Sequence, residues 1–412
     1  MDLIQEFRER ELLAQSTNLE AIEELVKSKK LTFYIGFDPT ADSLHIGHFM
    51  QMKTMRYFQE AGHKPIILFG GGTAMVGDPT GKTDMRKMLT KEEIDNNITY
   101  FKKQAAKYID VSEGNAIFVN NADWLCELNY VDFLREVGVH YSVNRMLTAE
   151  CVKSRLEKGL TFLEFNYMLM QGYDFYKLYN DYDCVLQLGG DDQWSNIISG
   201  VELIRRKDAK EAYGMTFALL PDASGKKMGK TEKNAVWIDP EKTLPYDFYQ
   251  FWRNTDDSLV IQYMKMLTRM PMEEIKEFES YTDNKINIAK EKLAFEVTKI
   301  VHDEDEAKKA QEAAKALFSI KGSASANENM PTTTLVEDNF TDGKISILDL
   351  ITVSKLALSK SEAKRLIDQG GICIGDEKIT QYSFAAERSQ IEEQGLIIKK
   401  GKKIFHRFIC DS

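Results

Sequence analysis

The chain has 412 residues, 43% of them hydrophobic and 29% charged, and a formal net charge of −10. That length allows two or three domains with a sizeable core, and the composition is that of a globular protein rather than a disordered or collagenous one. The opening Met1-Asp2-Leu3-Ile4-Gln5-Glu6 lacks a basic region followed by an apolar run, and no apolar stretch approaches a membrane span, so neither a secretory leader nor a membrane protein is expected. The five cysteines (Cys126, Cys151, Cys184, Cys373 and Cys410) are odd in number and scattered without a Cys-x-x-Cys, which argues against a disulfide framework or a zinc site and suits a reducing cytoplasm.

Over the first 220 residues, strand-like and helix-like runs alternate. Strands are expected at 32–37, 65–70, 116–119, 184–188 and roughly 215–220, with helical patterns between them. The alternation predicts a mostly parallel sheet covered on both faces, whose ligands bind beyond the C-terminal strand ends. After the first of these strands, an Asp38-Pro39-Thr40 turn leads to His45-Ile46-Gly47-His48, which opens an amphipathic run from Leu44 to about Ala61. Asp42 or Ser43 is the expected N-cap. His45 and His48, three positions apart, share one face of the first turn, where unpaired backbone N–H groups and the positive dipole end favour phosphate. Gly47, without a side chain, lets a flat ring approach the backbone. Alone, two histidines at this spacing are equally a metal pair or ordinary helix-start residues.

After the second strand, Gly77-Asp78-Pro79-Thr80-Gly81-Lys82-Thr83 looks like a P-loop, but the glycine that motif needs four residues before Gly81 falls at Val76, and Pro79 removes an N–H of the cradle. Farther on, Tyr167, Gln171 and Asp174 stand at i, i+4 and i+7, stacked on one helical face. The stretch Gly189-Gly190-Asp191-Asp192-Gln193-Trp194 ends a strand and opens a helix. A Ser-Gly-Lys-rich loop carries Lys226-Lys227-Met228-Gly229-Lys230-Thr231; by itself such a loop reads as solvated surface. From 245 to 320 only helical patterns occur, followed by a small-residue polar linker. Residues 344–412 carry 12 Lys/Arg against 9 Asp/Glu, so this end is basic although the chain is acidic. Its run from Leu358 to Gly375 reads helix, Gly-Gly turn, strand, with Lys360, Lys364 and Arg365 along one side of the helix, and local positive potential suits RNA.

Taken together, the histidine segment and the lysine loop about 180 residues later resemble the HIGH and KMSKS signatures of class I aminoacyl-tRNA synthetases. The first matches letter for letter. In the second, Gly229 and Thr231 replace serines while Lys227 and Lys230 are kept. Tyr34-Ile35-Gly36-Phe37-Asp38-Pro39-Thr40, Gly77-Asp78-Pro79-Thr80 and the Tyr167/Gln171/Asp174 spacing resemble the bacterial tyrosyl-tRNA synthetases in particular, and the C-terminal helix–turn–strand resembles a small RNA-binding domain shared with a ribosomal protein. Ile35 and Gln51 depart from the family pattern at secondary ribose contacts.

The resemblance implies an α/β, Rossmann-like doubly wound catalytic domain over 1–220, a lysine-loop and helical domain over 221–320, a linker over 321–343 and an α+β RNA-binding domain over 344–412. It also implies residue roles. Asp174 and Tyr34 would bond the substrate phenol; Asp78, Tyr167 and Gln171 the ammonium; Gln193 the carboxylate region. Gly36, Asp38, His45, Gly47, His48, Gly190, Asp192, Lys227 and Lys230 would hold ATP. In catalysis Thr40 and His45 would bind the departing phosphates, with His48 near the ribose, and Lys82, Arg86, Lys227 and Lys230 would close on the pyrophosphate; Lys360, Lys364 and Arg365 would contact RNA. Tyrosine, ATP with Mg²⁺ and tRNA(Tyr) are the implied substrates, with no prosthetic group, no resident metal and a homodimer joined around 120–165. The rival readings are a tryptophanyl-tRNA synthetase, which Asp174 paired with Tyr34 disfavours, a HIGH-type nucleotidyltransferase, and a non-catalytic RNA-binding protein, which the retained His45, His48, Lys227 and Lys230 disfavour.

Overall fold

A computed structural model describes the chain apart from residues 1, 81–88, 157–158, 226, 229–234, 320–330, 375–376, 402–403 and 412. It divides into two compact units, Met1–Asp239 with Ile261–Ser280, and Pro240–Val260 with Tyr281–Ser412.

The first unit is built on a six-stranded sheet of β1 (Leu13–Ser16), β2 (Thr32–Phe37), β3 (Lys64–Phe69), β4 (Ile117–Asn120), β5 (Cys184–Gly190) and β6 (Tyr213–Phe217). Its order is β1-β6-β5-β2-β3-β4, with all neighbours parallel except β1, which runs antiparallel along β6. This is the Rossmann-like, doubly wound arrangement. The chain steps outward through β3 and β4 on one side of β2, then returns to β5 on the other side and continues to β6. The order therefore reverses between β2 and β5, and the crevice at their C-terminal ends is where such a sheet binds ligands. β2 and β3 are buried along most of their length, as central parallel strands must be. β1, at the edge of the sheet, has no alternation of its own; its inner neighbour β6 makes it a strand, through bonds such as Ala218 N–H to the Leu12 carbonyl at 2.8 Å.

The helix Tyr167–Tyr182 lies against the helix Trp194–Asp208 and against β5. Glycine sets their approach: a Cβ on Gly200 would meet Phe175 Cβ at 2.9 Å and Gly172 Cα at 3.4 Å. The close crossing seats Phe175 and Leu178 in a core with Tyr34, Ile66, Leu68 and Ile204. It also turns Asp174 toward the inside of the sheet.

In the second unit, the helices Pro245–Arg253, Ile286–His302 and Glu304–Ser319 pack on one another. The C-terminal part has a core of its own around Ile347, Leu350, Ile367, Ile372, Ile398 and Phe408. Its five-stranded sheet contains β7 (Thr332–Leu335), β9 (Ile372–Ile374), β10 (Glu377–Lys378), β12 (Leu396–Lys400) and β13 (Ile404–Cys410), in the order β10-β9-β12-β13-β7; β8 (Lys344–Ser346) pairs separately with β11 (Ala385–Glu387). β7 lies inside the stretch expected to be linker, yet it runs parallel to β13 and belongs to this sheet. A run of three threonines carries no periodic signal, and only its partner strand gives it a place. The helix Lys360–Asp368 ends in a turn where Gly370 takes a positive φ of 63°, then leads into β9.

Candidate active site

The helix Ile46–Glu60 begins at its histidines. His45, not Asp42 or Ser43, is the N-cap, because its ring does the work of a capping side chain: Nδ1 accepts the Gly47 N–H at 3.0 Å. His48 returns the bond, its Nδ1 accepting the His45 N–H at 3.2 Å. Ser43 is turned inward instead, with its hydroxyl on the Leu44 carbonyl and Gln104. The two rings stack with centroids 3.8 Å apart. Since each Nδ1 is an acceptor, the proton of each neutral ring resides on Nε2, and both rings present N–H donors. A Cβ on Gly47 would lie 2.9 Å from His45 Cε1, so the ring that approaches this backbone most closely is that of His45 itself.

A second segment closes on this helix start. The Ile46 N–H bonds the Val236 carbonyl at 2.9 Å, the Ile238 N–H bonds the Leu44 carbonyl at 3.1 Å, and His45 pairs with Trp237. At the other end of the lysine loop, Lys227 pairs with Pro221, and its ammonium lies 2.7 Å from Asp192. The histidine segment is thus paired with the stretch 236–238, and Lys227 with Pro221. Asp192 follows β5, where a Cβ on Gly190 would meet its carboxylate at 2.7 Å and Leu219 at 2.9 Å. Gln193 donates to Asp78 at 2.7 Å and accepts from Asn196 at 3.0 Å. Asp78 also accepts the Thr80 N–H at 2.9 Å. Gly36 is exposed at the end of β2, and the following turn is held by Asn97, which donates to the Pro39 carbonyl at 2.9 Å.

Deeper in the crevice lies a buried polar chain. Asp174 is 2% exposed and accepts from Trp124 Nε1 at 2.7 Å and Asn121 Nδ2 at 2.9 Å. Asn121 also donates to the Thr73 hydroxyl at 3.0 Å, Thr73 donates to Asp38 at 2.7 Å, and Tyr167 donates to the other Asp38 oxygen at 2.9 Å. Asp38, expected at the nucleotide, is here bonded to Thr73 and Tyr167. Burial pushes the Asp174 carboxyl up to about 8, against the pull of its two donors. Tyr34, on β2, is fully buried; burial and then the Asp174 charge hold its phenol well above the usual value. Its hydroxyl has no hydrogen-bond partner among the described residues. An orphaned buried hydroxyl beside a carboxyl group is a site that awaits a ligand able both to donate and to accept.

Residues 26–319 match the family of class I tRNA synthetases for tryptophan and tyrosine, and residues 323–408 match the tyrosine–tRNA ligase SYY-like C-terminal domain. The first match leaves the amino acid open. The relatives decide it: the chain is 59% identical over 400 residues to the tyrosine–tRNA ligase of Acetivibrio thermocellus, covering 97% of both chains, and 57% identical over 404 residues to that of Clostridium botulinum, covering 98% of both. The chain belongs to the tyrosine–tRNA ligases. Among solved structures, a C-terminally truncated mitochondrial tyrosyl-tRNA synthetase of Aspergillus nidulans is similar at a TM-score of 0.67 and 28% identity, over 77% of this chain and 94% of that one. The fold of the Archaeoglobus fulgidus tyrosyl-tRNA synthetase is also alike, at a TM-score of 0.56 and 20% identity over 75% of this chain and all of that one.

A tyrosine–tRNA ligase makes tyrosyl-adenylate from tyrosine and ATP, releases pyrophosphate and transfers tyrosine to the 3′ end of tRNA(Tyr). Neither the tryptophan enzyme nor a simple nucleotidyltransferase is favoured by these relatives. Of the residues expected to serve the ligase reaction, the structure gathers Tyr34, Asp38, Tyr167 and Asp174 in the deep crevice, and Asp78 with Gln193 nearer its mouth. Gln171 lies half-buried on the helix that carries Tyr167 and Asp174. Thr40, half-buried, follows the Asp38 turn. Lys82, Arg86 and Lys230 lie outside the described residues. The RNA-side residues stand apart in the second unit: Lys360 pairs with Asp349 at 2.5 Å, Lys364 lies over the Tyr382 ring, and Arg365 is exposed. Asn121, Trp124, Thr73 and the 236–238 segment carried no expectation. Among the described residues no helix is long and apolar enough to cross a membrane, and no group of three or more His, Cys, Asp or Glu stands ready for a metal ion.

Proposed function

We propose that this ligase reads tyrosine through Tyr34 and Asp174, which bond the phenol hydroxyl, while Asp78, Tyr167 and Gln171 hold the ammonium and Gln193 lies by the carboxylate. The observation that carries the reading is the buried Tyr34 hydroxyl, which lacks a partner among the described residues, beside a carboxyl group held near neutrality. Asp38, bonded to Tyr167 and Thr73, orients the ammonium side of the pocket and borders the nucleotide. ATP enters as its Mg²⁺ complex. Gly36, Gly47 and Gly190 let the nucleotide lie close to the backbone, and Asp192 takes the ribose hydroxyls. The tyrosine carboxylate attacks the α-phosphorus in line and pyrophosphate departs. Thr40 and the Nε2–H groups of His45 and His48 stabilise the charge that grows on the phosphates, and Lys227, Lys230, Lys82 and Arg86 close on the leaving group. No side chain forms a covalent intermediate. Lys227 must leave Asp192 to do this, so the ribose hydroxyls and the Lys227 ammonium compete for one carboxylate.

The functional division follows the sequence: chemistry in 1–220, the lysine loop and tRNA-side helices in 221–320, and RNA contact by Lys360, Lys364 and Arg365 in 344–412. A homodimer is supported by a run of exposed apolar side chains, Tyr130, Val131, Val139, Val143 and Phe162, each more than half exposed. A cytoplasmic setting is supported by the scattered cysteines, none of which is disulfide-bonded. The experiment is exchange of labelled pyrophosphate into ATP by the full chain. The expected result is exchange that requires tyrosine; exchange driven equally well by tryptophan or phenylalanine would overturn the assignment of Tyr34 and Asp174.

A further inference from the structure

The segment Ile261–Ser280 leaves the helical stretch of the chain and folds into the first unit. Two buried cations fasten it there. Arg10, 3% exposed and paired with Glu6, donates to the carbonyls of Lys265, Thr268 and Met270 at 3.3, 3.2 and 2.8 Å. Lys53 donates to the Met266 carbonyl at 2.7 Å. These are carbonyls at and just beyond the end of the helix Val260–Leu267, where the helix itself leaves acceptors unfilled. Lys53 lies on the same helix that His45 and His48 open. The Val260–Leu267 helix is therefore fixed directly to the histidine helix.

One turn before that fastening, Tyr263 is almost fully buried, and its hydroxyl donates to the Pro221 carbonyl. Pro221 is the residue that pairs with Lys227, and the adjacent Met228 N–H bonds the Leu220 carbonyl at 2.8 Å. Between them, Asp222 caps a tight turn through the Ser224 N–H at 2.8 Å, and Gly225 takes a positive φ of 77°. The described base of the lysine loop is thus a small hairpin whose first strand the Tyr263 hydroxyl anchors from outside. Movement of Pro221 moves Lys227, because a paired residue cannot shift without its partner.

We infer that Tyr263 is a positioning residue for adenylate formation: through Pro221 it sets where Lys227 stands relative to the histidine helix, to which its own helix is fastened by Lys53. The inference rests on the reading of Lys227 as a phosphate-facing cation and adds the element that aims it. A purely structural Tyr263 would cost activity in the same proportion whatever residue occupied position 227.

A double-mutant cycle separates the two. Tyr263→Phe keeps the ring and removes the hydroxyl; Lys227→Ala removes the cation; both are compared with the double variant in the full chain. Single-turnover formation of tyrosyl-adenylate is the readout, with tyrosine affinity and melting temperature measured alongside. Tyr263→Phe is expected to slow the step by about 3- to 10-fold, the span of one hydrogen bond, with tyrosine affinity unchanged. In the Lys227→Ala background the same change is expected to cost less than about 2-fold. An equal loss in both backgrounds, or no loss in the parent enzyme, overturns the inference. A Lys227→Ala enzyme as fast as the parent would instead remove the reading of Lys227, and the inference with it.

Discussion

At the end of the crevice proposed to read the phenol, Tyr34 and Asp174 are both buried, and Asp174 is bonded into a chain that runs through Asn121, Thr73, Asp38 and Tyr167. At the phosphate end, His45 and His48 sit half-buried at a helix start, and Lys227 is exposed and salt-bridged to Asp192. In the proposed reading the first region makes an incorrect ring costly, since a phenylalanine would leave the buried Tyr34 hydroxyl without a partner. Tyrosyl-tRNA synthetase is a standard instance of discrimination by a site that bonds a substrate hydroxyl, and the size of that effect is general knowledge rather than a result of this structure. In the same reading the second region is assembled from donors and a cation that must change partner, so its contacts would strengthen only as charge develops on the phosphates. One end would then store specificity and the other rate.

The largest expected effect lies at the phosphate end. His45→Ala removes a donor from the helix start and should slow adenylate formation by about 10²- to 10³-fold, with tyrosine affinity almost unchanged. Rapid-mixing kinetics measure both; lost tyrosine affinity with an unaltered forward rate would erase the contrast between the two ends. At the phenol end, Asn121→Ala removes one of two donors to Asp174 and should weaken tyrosine binding by about 3- to 10-fold, the scale of one neutral hydrogen bond, while leaving the KM for ATP alone. Calorimetric titration with tyrosine and steady-state kinetics in ATP check the two halves of that statement.

A third test uses the Asp174 proton. Its folded pKa of about 8 stands above the ordinary aspartate value of 3.8, so between those values the folded chain holds a proton that the unfolded chain has released. The stability of the empty enzyme therefore loses up to about 1.4 kcal/mol per pH unit from this group as pH rises through that window, and the loss levels off above it. Asp174→Asn has no such proton. Whatever the offset between the two proteins, the melting temperature of the variant minus that of the parent should increase from pH 5 to pH 8. A difference that stays flat over that range would show that Asp174 is already ionised in the empty pocket.

Much of this contrast could be read from the residues. Helical spacing alone set Tyr167, Gln171 and Asp174 on one face, and the apolar runs at 32–37 and 184–188 marked the central strands that flank the crevice. Local pattern suffices where the chemistry repeats with the period of the element. It fails where a bond depends on sheet order. Asn121 and Trp124 reach Asp174 because β4 is the outer neighbour of β3, a fact that no local window contains. The pairing of 236–238 with the start of the histidine helix, and of Tyr263 with Pro221, joins segments far apart in sequence. β1 and β7 lack alternation and are strands only through their neighbours. The cap of the histidine helix was missed for a different reason: histidine rarely caps, and here two rings cap each other.

The claim that specificity is held at the buried end is tested most directly by kcat/KM for tyrosine and for phenylalanine activation, in the parent enzyme and in Tyr34→Phe. The variant keeps the ring and deletes a buried hydroxyl that lacks a partner among the described residues. The expected outcome is a loss of about 0.5–1.5 kcal/mol in tyrosine activation and a smaller preference for tyrosine over phenylalanine. An unchanged ratio of the two would mean that Tyr34 does not read the phenol, and that the dry end of the crevice is not where tyrosine is chosen.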